Sequence, residues 1–480
     1  MKEKPARCIR LSTWKTYGFL LMLCFLWGCF PQLSIYNFPM QNQGEVVVYL
    51  QPVPQKASGL RFILGQMDMI PDDGVNIPVD LLVNEINATS FLGLQKRLAS
   101  GYLNAGMYKG ISITLSKAFV LGEEGESALL IPEQPVFIEH PFTVKRNGTS
   151  TLFLSLNDSG IIASDGIRFT PSFSVADSGR DIINLTGYVS NSDSNNITVY
   201  NKKTMQVVDV LSTGRNPKGM VIDTLRARVY VAVSGDDAIE VIDLFKGEII
   251  GKINLDFKDE PVELALTPDG KTLVSVNHGS NTVSIIDAVS EFEISRLRVD
   301  GKPVSVAIDP AGVKAYITNS MSNTIFVLDI FQQAISQISG VEGTPFKGAF
   351  NQIGDRFYVI SKNSPYLTVI DTRRLHITGK IFIGMGSVSI KIDSQTDFIM
   401  VGKDVEKDIA VVDPFSLSRI DTIDTGGSAV FMSIDGEENS LFAVLSDKKK
   451  LLKINLTSKK IIAEIDLETS PYAVVVMGER

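Results

Sequence analysis

The stretch PVSVAIDPAGVKAYITNSMSNTIFVLD, from Pro303 to Asp329, decides the fold of this chain. It contains three short runs that alternate apolar and polar residues, PVSVAID, AYITN and NTIFVLD, and turn-forming residues separate them, as is typical of β-strands. The Val/Ile-x-Asp ending of the third run recurs every 42 or 44 residues. The recurring position is occupied by Asn201, Asp243, Asp287, Asp329, Asp371, Asp413 and Asn455. The C-terminal part of the chain therefore contains seven copies of one unit.

A period near 42 residues with four strands per repeat is typical of a β-propeller, in which each repeat forms one blade. The sequence thus predicts an all-β protein with a seven-bladed propeller over residues 182–480. Pro471 to Met477 looks like an innermost strand without a second strand, and Ile182 to Asn191 contains a second strand without an innermost one. We predict that these two segments pair and close the ring, which removes open sheet edges.

The second strands of several repeats share a motif. They read GYVSN at Gly187, VYVAV at Val229, LVSVN at Leu273, AYITN at Ala315 and FYVIS at Phe357. With the PDG turn at Pro268, this pattern resembles the YVTN family of seven-bladed propellers. The resemblance implies a propeller fold, and some propellers similar to this one are lactonases.

The N-terminus has the features of a lipoprotein signal peptide. Residues 1–28 run from a basic segment into the apolar segment GFLLMLCFLWG, which is short for a membrane span. The end of this segment, up to Cys29, resembles the lipobox of bacterial lipoproteins, which implies cleavage before Cys29 and acylation of its sulfur. Residues 29–43 would then form a tether. The alternative is ordinary secretion, with Cys29 incidental.

Residues 44–175 lack the 42-residue repeat. They contain seven alternating runs separated by turn residues, which predicts an antiparallel β-sandwich. The segment Gly93 to Leu103 is compatible with a short helix or a strand. A short linker, Ala176 to Arg180, separates this domain from the propeller, so we expect the two domains to touch.

Composition limits the classes of partner. The net charge is −8, and the first 28 residues contain five Lys/Arg and one Glu, so the remainder carries −12. An acidic body without a basic patch argues against nucleic acid. All three cysteines lie in the first 29 residues and the chain has three histidines, which excludes a zinc finger or a CxxCH haem motif in the body. The sequence predicts no cofactor and no metal site.

Three charged residues interrupt the small residues of the innermost strands: Glu263, Lys347 and Lys391. Charges near the axis are costly unless they are paired or hydrated, so we expect them to line the central channel. They form either a structural charge network or a ligand or ion site.

A second candidate site lies on the loops that join second to third strands and fourth to next innermost strands. These loops emerge on one end of the propeller and vary between repeats, as binding loops do. The candidate binding residues there are Arg215, Lys258, Asp259, Asn277 and His278.

These features predict a monomeric, non-enzymatic binding or scaffold protein of a bacterial cell envelope. It would be lipid-anchored to the outer membrane, facing the periplasm or the outside, and would bind a protein or glycan. The alternative is a hydrolase of the lactonase type, for which Glu263, His278 and Arg215 are the available groups. Fold alone does not decide between the two.

Overall fold

The computed structural model describes residues 42–122, 125–157, 161–164, 166–179 and 182–479. The predicted signal peptide and Cys29, and most of the tether, lie outside these residues. The N-terminal strands are β1 (Gln43–Leu50), β2 (Leu60–Pro71), β3 (Ile77–Leu81), β4 (Glu85–Asn87), β5 (Lys96–Asn104), β6 (Gly106–Gly122), β7 (Gly125–Leu129), β8 (Val136–Val144), β9 (Thr149–Leu156) and β10 (Phe173–Asp177). Short 3-10 helices span Gln55–Ala57 and Ala88–Phe91. The segment that was compatible with a helix or a strand therefore contains strand β5.

All ten N-terminal strands belong to one hydrogen-bonded sheet, ordered β10-β9-β1-β5-β3-β2-β6-β7, with β4 beside β2 and β8 beside β6. The predicted β-sandwich is not confirmed. The sheet curls on itself, because Phe62 of β2 lies 6.3 Å from Phe173 of β10 across the sheet order. The long strands β2 and β6 carry several register shifts along their pairing, including one between Leu64 and Gln66. Such bulges bend a strand, which allows one sheet to enclose its own core.

A 3-10 helix at Ile183–Leu185 precedes the C-terminal strands, and a further one lies among them at Ser234–Asp236. The C-terminal part is a seven-bladed propeller built from the following strands. They are β11 (Thr186–Asn191), β12 (Asn196–Asn201), β13 (Gln206–Ser212), β14 (Pro217–Asp223), β15 (Arg228–Val233), β16 (Ala238–Asp243), β17 (Glu248–Asn254), β18 (Pro261–Leu266), β19 (Thr272–Asn277), β20 (Thr282–Asp287), β21 (Phe292–Arg298), β22 (Pro303–Ile308), β23 (Lys314–Asn319), β24 (Thr324–Asp329), β25 (Ala334–Ser339), β26 (Pro345–Phe350), β27 (Arg356–Ser361), β28 (Tyr366–Asp371), β29 (His376–Phe382), β30 (Ser387–Ile392), β31 (Ile399–Lys403), β32 (Asp408–Asp413), β33 (Ser418–Asp424), β34 (Ala429–Asp435), β35 (Ser440–Leu445), β36 (Lys450–Asn455), β37 (Lys460–Asp466) and β38 (Pro471–Val476).

Each blade is a four-stranded antiparallel sheet. Blades 2 to 7 use consecutive strands, from β14–β17 to β34–β37, whereas blade 1 has the order β13-β12-β11-β38. In blade 1, β38 pairs with β11 and places Val474 opposite Val189. The predicted pairing of the two chain ends is therefore confirmed, and the innermost strand of each blade contacts those of its neighbours around the complete ring.

The recurring Asp or Asn ends the third strand of every blade and accepts hydrogen bonds from backbone amides of the following turn. In blade 3, for example, Asp287 Oδ1 accepts from the amides of Val289 and Ser290, at 2.8 and 2.9 Å. The other six residues make the same contact two and three positions ahead. This position therefore has a structural role, because a side-chain acceptor satisfies turn amides that the strand ladder leaves free.

The N-terminal domain packs on the outside of the propeller, as the short linker predicted. Val47, Tyr49 and Phe153 share one apolar core with residues of blades 1 and 7. The side chain of Gln95 accepts from the backbone amide of Val207 at 2.8 Å and donates to its carbonyl at 3.0 Å. The domain thus covers part of the outer edge of blade 1, which would otherwise offer unpaired backbone groups. Within the part of the chain that the structure describes, no helix is long and apolar enough to cross a membrane.

Candidate binding site on the propeller axis

The innermost strands place one residue per blade at the same height along the axis. The pairing registers align Gly219, Glu263, Ser305, Lys347, Ser389, Phe431 and Ala473. Four of these residues are small, which leaves space on the axis beside the three large ones. A Cβ atom at Gly219 would lie 2.8 Å from the Cα of Glu263, so glycine there lets the two strands approach.

Glu263 and Lys347 face each other across the space beside Ser305. The Nζ of Lys347 lies 4.0 Å from Oε1 of Glu263, which is within ion-pair range but too long for a hydrogen bond. The side chain of Glu263 is 13% exposed and that of Lys347 is 10% exposed. The ammonium of Lys347 lies 4.3 Å from the centroid of the Phe431 ring, a cation–π distance. Among the residues that the structure describes, none donates a hydrogen bond to the buried Oε2 of Glu263.

Burial changes the proton affinity of both groups. Desolvation raises the pKa of the Glu263 carboxyl and outweighs the opposing effects of the Lys347 charge and the Ser305 hydroxyl. Desolvation likewise lowers the pKa of Lys347, against the attraction of Glu263. Both shifts favour the neutral forms, which is the expected behaviour of charges that lack sufficient polar partners. The pair is therefore able to gain from additional polar contacts.

A second ion pair lies on the same axis. Lys391 Nζ donates to Oε1 of Glu479 at 2.5 Å. Glu479 follows the last strand and forms an isolated β-bridge with Asp435 of blade 7. The sequence predicted the axial position of Lys391 but missed Glu479, because Glu479 lies after the last strand of the repeat pattern and has no equivalent in other blades.

These groups line a cavity of about 440 Å³ between the innermost strands of blades 3 to 7. Its walls include Ala307, Ile308, Ala349, Phe350, Ile390, Ile392 and Met432. Pro310, Gln352 and Ser394 also line it, and they belong to turns that join first to second strands. The turns that join third to fourth strands lie at the same end of the propeller. We name this end the turn face and the opposite end the loop face. The cavity extends from the Glu263–Lys347 level towards the turn face.

On the loop face, two predicted binding residues have structural contacts. Asn277 is fully buried, and its amide donates to the hydroxyls of Thr282 and Ser284 at 3.0 and 2.8 Å. Asp259 is also fully buried, and both of its oxygens accept from Arg296, at 2.9 and 2.7 Å. Neither side chain is presented to a partner, and we assign both to loop stabilisation.

The other three loop-face residues are more accessible. His278 is half-buried, with Nδ1 3.0 Å from the carbonyl oxygen of Pro303. Lys258 is exposed, and Arg215 is exposed and paired with Asp236 at 2.7 Å. None of these three lines the axial cavity, whereas Glu263, Lys347 and Lys391 all do. The structure thus brings together the three predicted axial charges and leaves the loop-face group outside that site.

Sequence reasoning overlooked the turn face, which carries large exposed apolar side chains. They lie in turns of blades 2, 4, 5 and 6 and are between 67% and 78% exposed. These residues are Leu225, Phe245, Phe331, Ile353 and Phe415. The three phenylalanines follow the recurring Asp by two positions, at Asp243, Asp329 and Asp413. The sequence signal that could have revealed this surface is the phenylalanine that recurs two positions after the Asp, in a turn.

No group of three or more potential metal ligands occurs within the described ranges of the chain. The axial site is thus defined by two Lys–Glu pairs, hydroxyl groups and an apolar wall. Such a mixture of an apolar surface and a few convergent polar groups is typical of small-molecule pockets.

The seven blades, the closure of the ring by its C-terminal strand and the axial cavity define a seven-bladed propeller with a central pocket. The chain belongs to the YNCE-like beta-propeller family, whose model matches residues 175–479. No curated protein is significantly similar to the chain.

Several solved structures share the fold at low sequence identity. A functionally unknown protein from Desulfotomaculum acetoxidans is 15% identical with a TM-score of 0.55, over 60% of this chain and 98% of that protein. Kuenenia stuttgartiensis hydrazine synthase is 15% identical with a TM-score of 0.50, over 54% of this chain and 88% of that one. The dihydro-heme d1 dehydrogenase NirN is 12% identical with a TM-score of 0.50, over 62% of this chain and 77% of that one. At these identities the similarity shows the fold alone.

Proposed function

We propose that this protein is a non-enzymatic binding or scaffold protein of a bacterial envelope, lipid-anchored through Cys29, whose propeller binds a protein or glycan partner. The observation that carries this proposal is the set of exposed apolar side chains on the turn face, including Phe245, Phe331 and Phe415. Exposed apolar residues also lie at the loop-face end, among them Phe257 and Phe382, but the three phenylalanines of the turn face recur at one position of the repeat, and aromatic residues are enriched at interaction surfaces.

The chemistry of these side chains favours a protein over a glycan. Aromatic side chains are enriched at protein interfaces and often dominate their binding energy. Leu225 and Ile353 on the same face are aliphatic and offer apolar contact without a flat ring for a sugar to stack on. The rigid blades hold the turns in fixed positions, so a partner would meet a preformed surface.

The lactonase alternative receives less support from the geometry. Of its three candidate groups, Glu263 lines the axial cavity, but His278 and Arg215 do not. Arg215 is also held by Asp236 and by the carbonyl oxygen of Gly235, both in the neighbouring loop between β15 and β16. Hydrazine synthase and NirN share the fold at too low an identity to lend this chain an activity.

The test compares two triple variants of the full chain by photo-crosslinking in cells, with identification of the captured proteins. The first variant changes Phe245, Phe331 and Phe415 to Ser. The matched control changes Phe257, Met321 and Phe382 to Ser; these residues are similarly exposed but lie at the loop-face end. We expect the first variant to lose capture of a partner that the parent and the control retain, at an unchanged melting temperature.

The opposite pattern would move the binding surface to the loop face. If the parent captures no protein but retains labelled glycans, the partner is a glycan. Capture that is equal in all three forms would contradict a propeller-based binding role.

A further inference from the structure

We propose that the axial cavity is a binding site for a free α-amino acid, whose ammonium group contacts Glu263 and whose carboxylate contacts Lys347. This inference deepens the proposed function and rests on it in one respect: the propeller binds its ligand and does not convert it. The ligand is distinct from the partner on the turn face.

The Glu263–Lys347 pair is incompletely hydrogen-bonded. The two groups are 4.0 Å apart, and Oε2 of Glu263 accepts no hydrogen bond from the described residues. Two buried, opposite charges that form no hydrogen bond with each other, one of them with an oxygen that accepts none, are unfavourable for the fold unless another group satisfies them. Buried groups with pKa values shifted in this way cluster at active and binding sites.

A free α-amino acid matches this pair in charge and in spacing. An α-amino acid carries an ammonium and a carboxylate on adjacent carbon atoms, so it presents two opposite charges a few ångströms apart. Its ammonium is complementary to Glu263 and its carboxylate to Lys347. A simple anion would satisfy Lys347 but would be repelled by Glu263, and a simple cation would have the converse problem. A zwitterion forms charge-assisted hydrogen bonds with both groups, and these are the stronger class of hydrogen bond.

The charged groups of the whole cavity balance each other. Lys391 and Glu479 also line it and already satisfy each other at 2.5 Å. The four charged groups therefore sum to zero, so the cavity has no net preference for ions of one sign. This balance excludes steering by net charge and leaves local complementarity as the basis of selectivity.

The walls determine the class of side chain. Ile308, Ile392 and Phe431 present apolar surface to the cavity. Ser305 and Ser389, at the same height as the charged pair, leave room for a ligand. The volume of about 440 Å³ lies within the range of ligand pockets, so an apolar or aromatic amino acid fits without rearrangement of the blades.

The test uses the full chain, purified in detergent, in equilibrium dialysis against an equimolar mixture of the twenty standard amino acids, with retained compounds identified by mass spectrometry. We expect saturable retention of one or a few apolar amino acids. Their N-acetyl and carboxamide derivatives, each lacking one charge, should bind about tenfold or more weakly, because each loses a charge-assisted hydrogen bond.

Two cavity variants and one control locate the site. Glu263→Gln and Lys347→Met should each weaken retention about tenfold or more, whereas Lys448→Met, at an exposed lysine of the loop face, should leave it unchanged. If a cavity variant fails to fold, the discrimination between free and capped amino acids by the parent decides the question.

Three results would overturn the inference: no retention by the parent, equal retention of the capped derivatives, or equal retention by the parent and folded cavity variants. The turn-face triple variant should still retain the amino acid. Loss of partner capture and loss of amino acid retention are therefore separate outcomes, and either proposal can fail alone.

Discussion

The side-chain ammonium of Lys202 lies 3.0 Å from a carboxylate oxygen of Asp435, and neither side chain has any exposure to solvent. Lys202 follows β12 of blade 1, and Asp435 ends β34 of blade 7. The same ammonium donates a hydrogen bond of 2.7 Å to the carbonyl oxygen of Met477, directly after the last strand. One buried cation therefore links the three segments at which the ring closes.

Replacement of this cation should weaken the closure. In Lys202→Met the carboxylate of Asp435 remains buried without its partner, and we expect a loss of about 3–5 kcal/mol in the free energy of unfolding. The double change Lys202→Met with Asp435→Leu should recover most of the loss, because no uncompensated charge remains. Denaturant unfolding measures both, with Lys246→Met, at an exposed lysine of blade 2, as the control. A loss equal to that of the control would contradict a closing role.

The recurring turn aspartates should contribute to acid sensitivity. Hydrogen bonds from backbone amides lower the pKa values of Asp287, Asp371 and Asp413 below the ordinary value. A carboxyl with a lowered folded-state pKa stabilises the protein above its unfolded-state pKa, and that stability is lost as the pH falls through the folded-state value. Stability from these three residues should therefore decline as the pH falls below about 4.

The chain offers a natural control for this prediction, because Asn201 and Asn455 make the same turn contacts without a charge. Changing the three aspartates to asparagine should keep the turns and reduce the fall in melting temperature on acidification. Asp300→Asn, at an exposed loop aspartate, should leave the fall unchanged. A parental acid profile in the triple variant would mean that other groups govern acid unfolding.

The attachment of the N-terminal domain should depend on polar contacts with the outer strand of blade 1 and with the segment that joins blade 7 to blade 1. Arg97 forms ion pairs with Glu45 of its own domain and with Glu468 of the propeller, and Gln95 bonds to the backbone of Val207. In a double Gln95→Ala, Arg97→Ala variant we expect faster proteolysis in the predicted linker, Ala176 to Arg180, because the two domains separate more often.

Arg61→Ala is the matched control, since Arg61 pairs with Glu85 and Glu126 within the N-terminal domain. It should leave the rate of linker cleavage unchanged. Equal rates in the parent and the double variant would show that the remaining contacts suffice to hold the domain, among them the apolar core of Val47, Tyr49 and Phe153 and the hydrogen bond from Thr151 to Asp209.

Membrane attachment is predicted from the basic segment, the apolar segment and Cys29. Cys29→Ala should give an unprocessed or soluble protein, since stable anchoring requires more than one acyl chain and the cysteine would carry them. Cell fractionation with mass determination of the product measures this. A variant that is mature-sized, acylated and still membrane-bound would contradict the lipoprotein interpretation.

The sequence by itself determined the propeller, because a repeat of 42 residues shows both the number of blades and the end of each third strand. The closure was also predictable, since Pro471 to Met477 lacked a second strand and Gly187 to Asn191 lacked an innermost one. The axial charges were recognisable because Glu263, Lys347 and Lys391 interrupt a row of small residues. Local periodicity is sufficient for these features, since each depends on pattern within or between repeats.

Only the tertiary structure decided the remaining features. The alternation of apolar and polar residues in β2 and β6 is the same in a sandwich and in a curled sheet. The two folds differ in strand order and bulges, which depend on long-range pairing. Glu479 reaches Lys391 of blade 6 through the closure of the ring, and the sequence separation of the two residues gives no sign of that contact. Asn277 and Asp259 have the composition of binding residues, yet their burial follows from neighbours that the fold places around them. The sequence sets which groups are available, and the packing of distant segments decides which of them face a ligand.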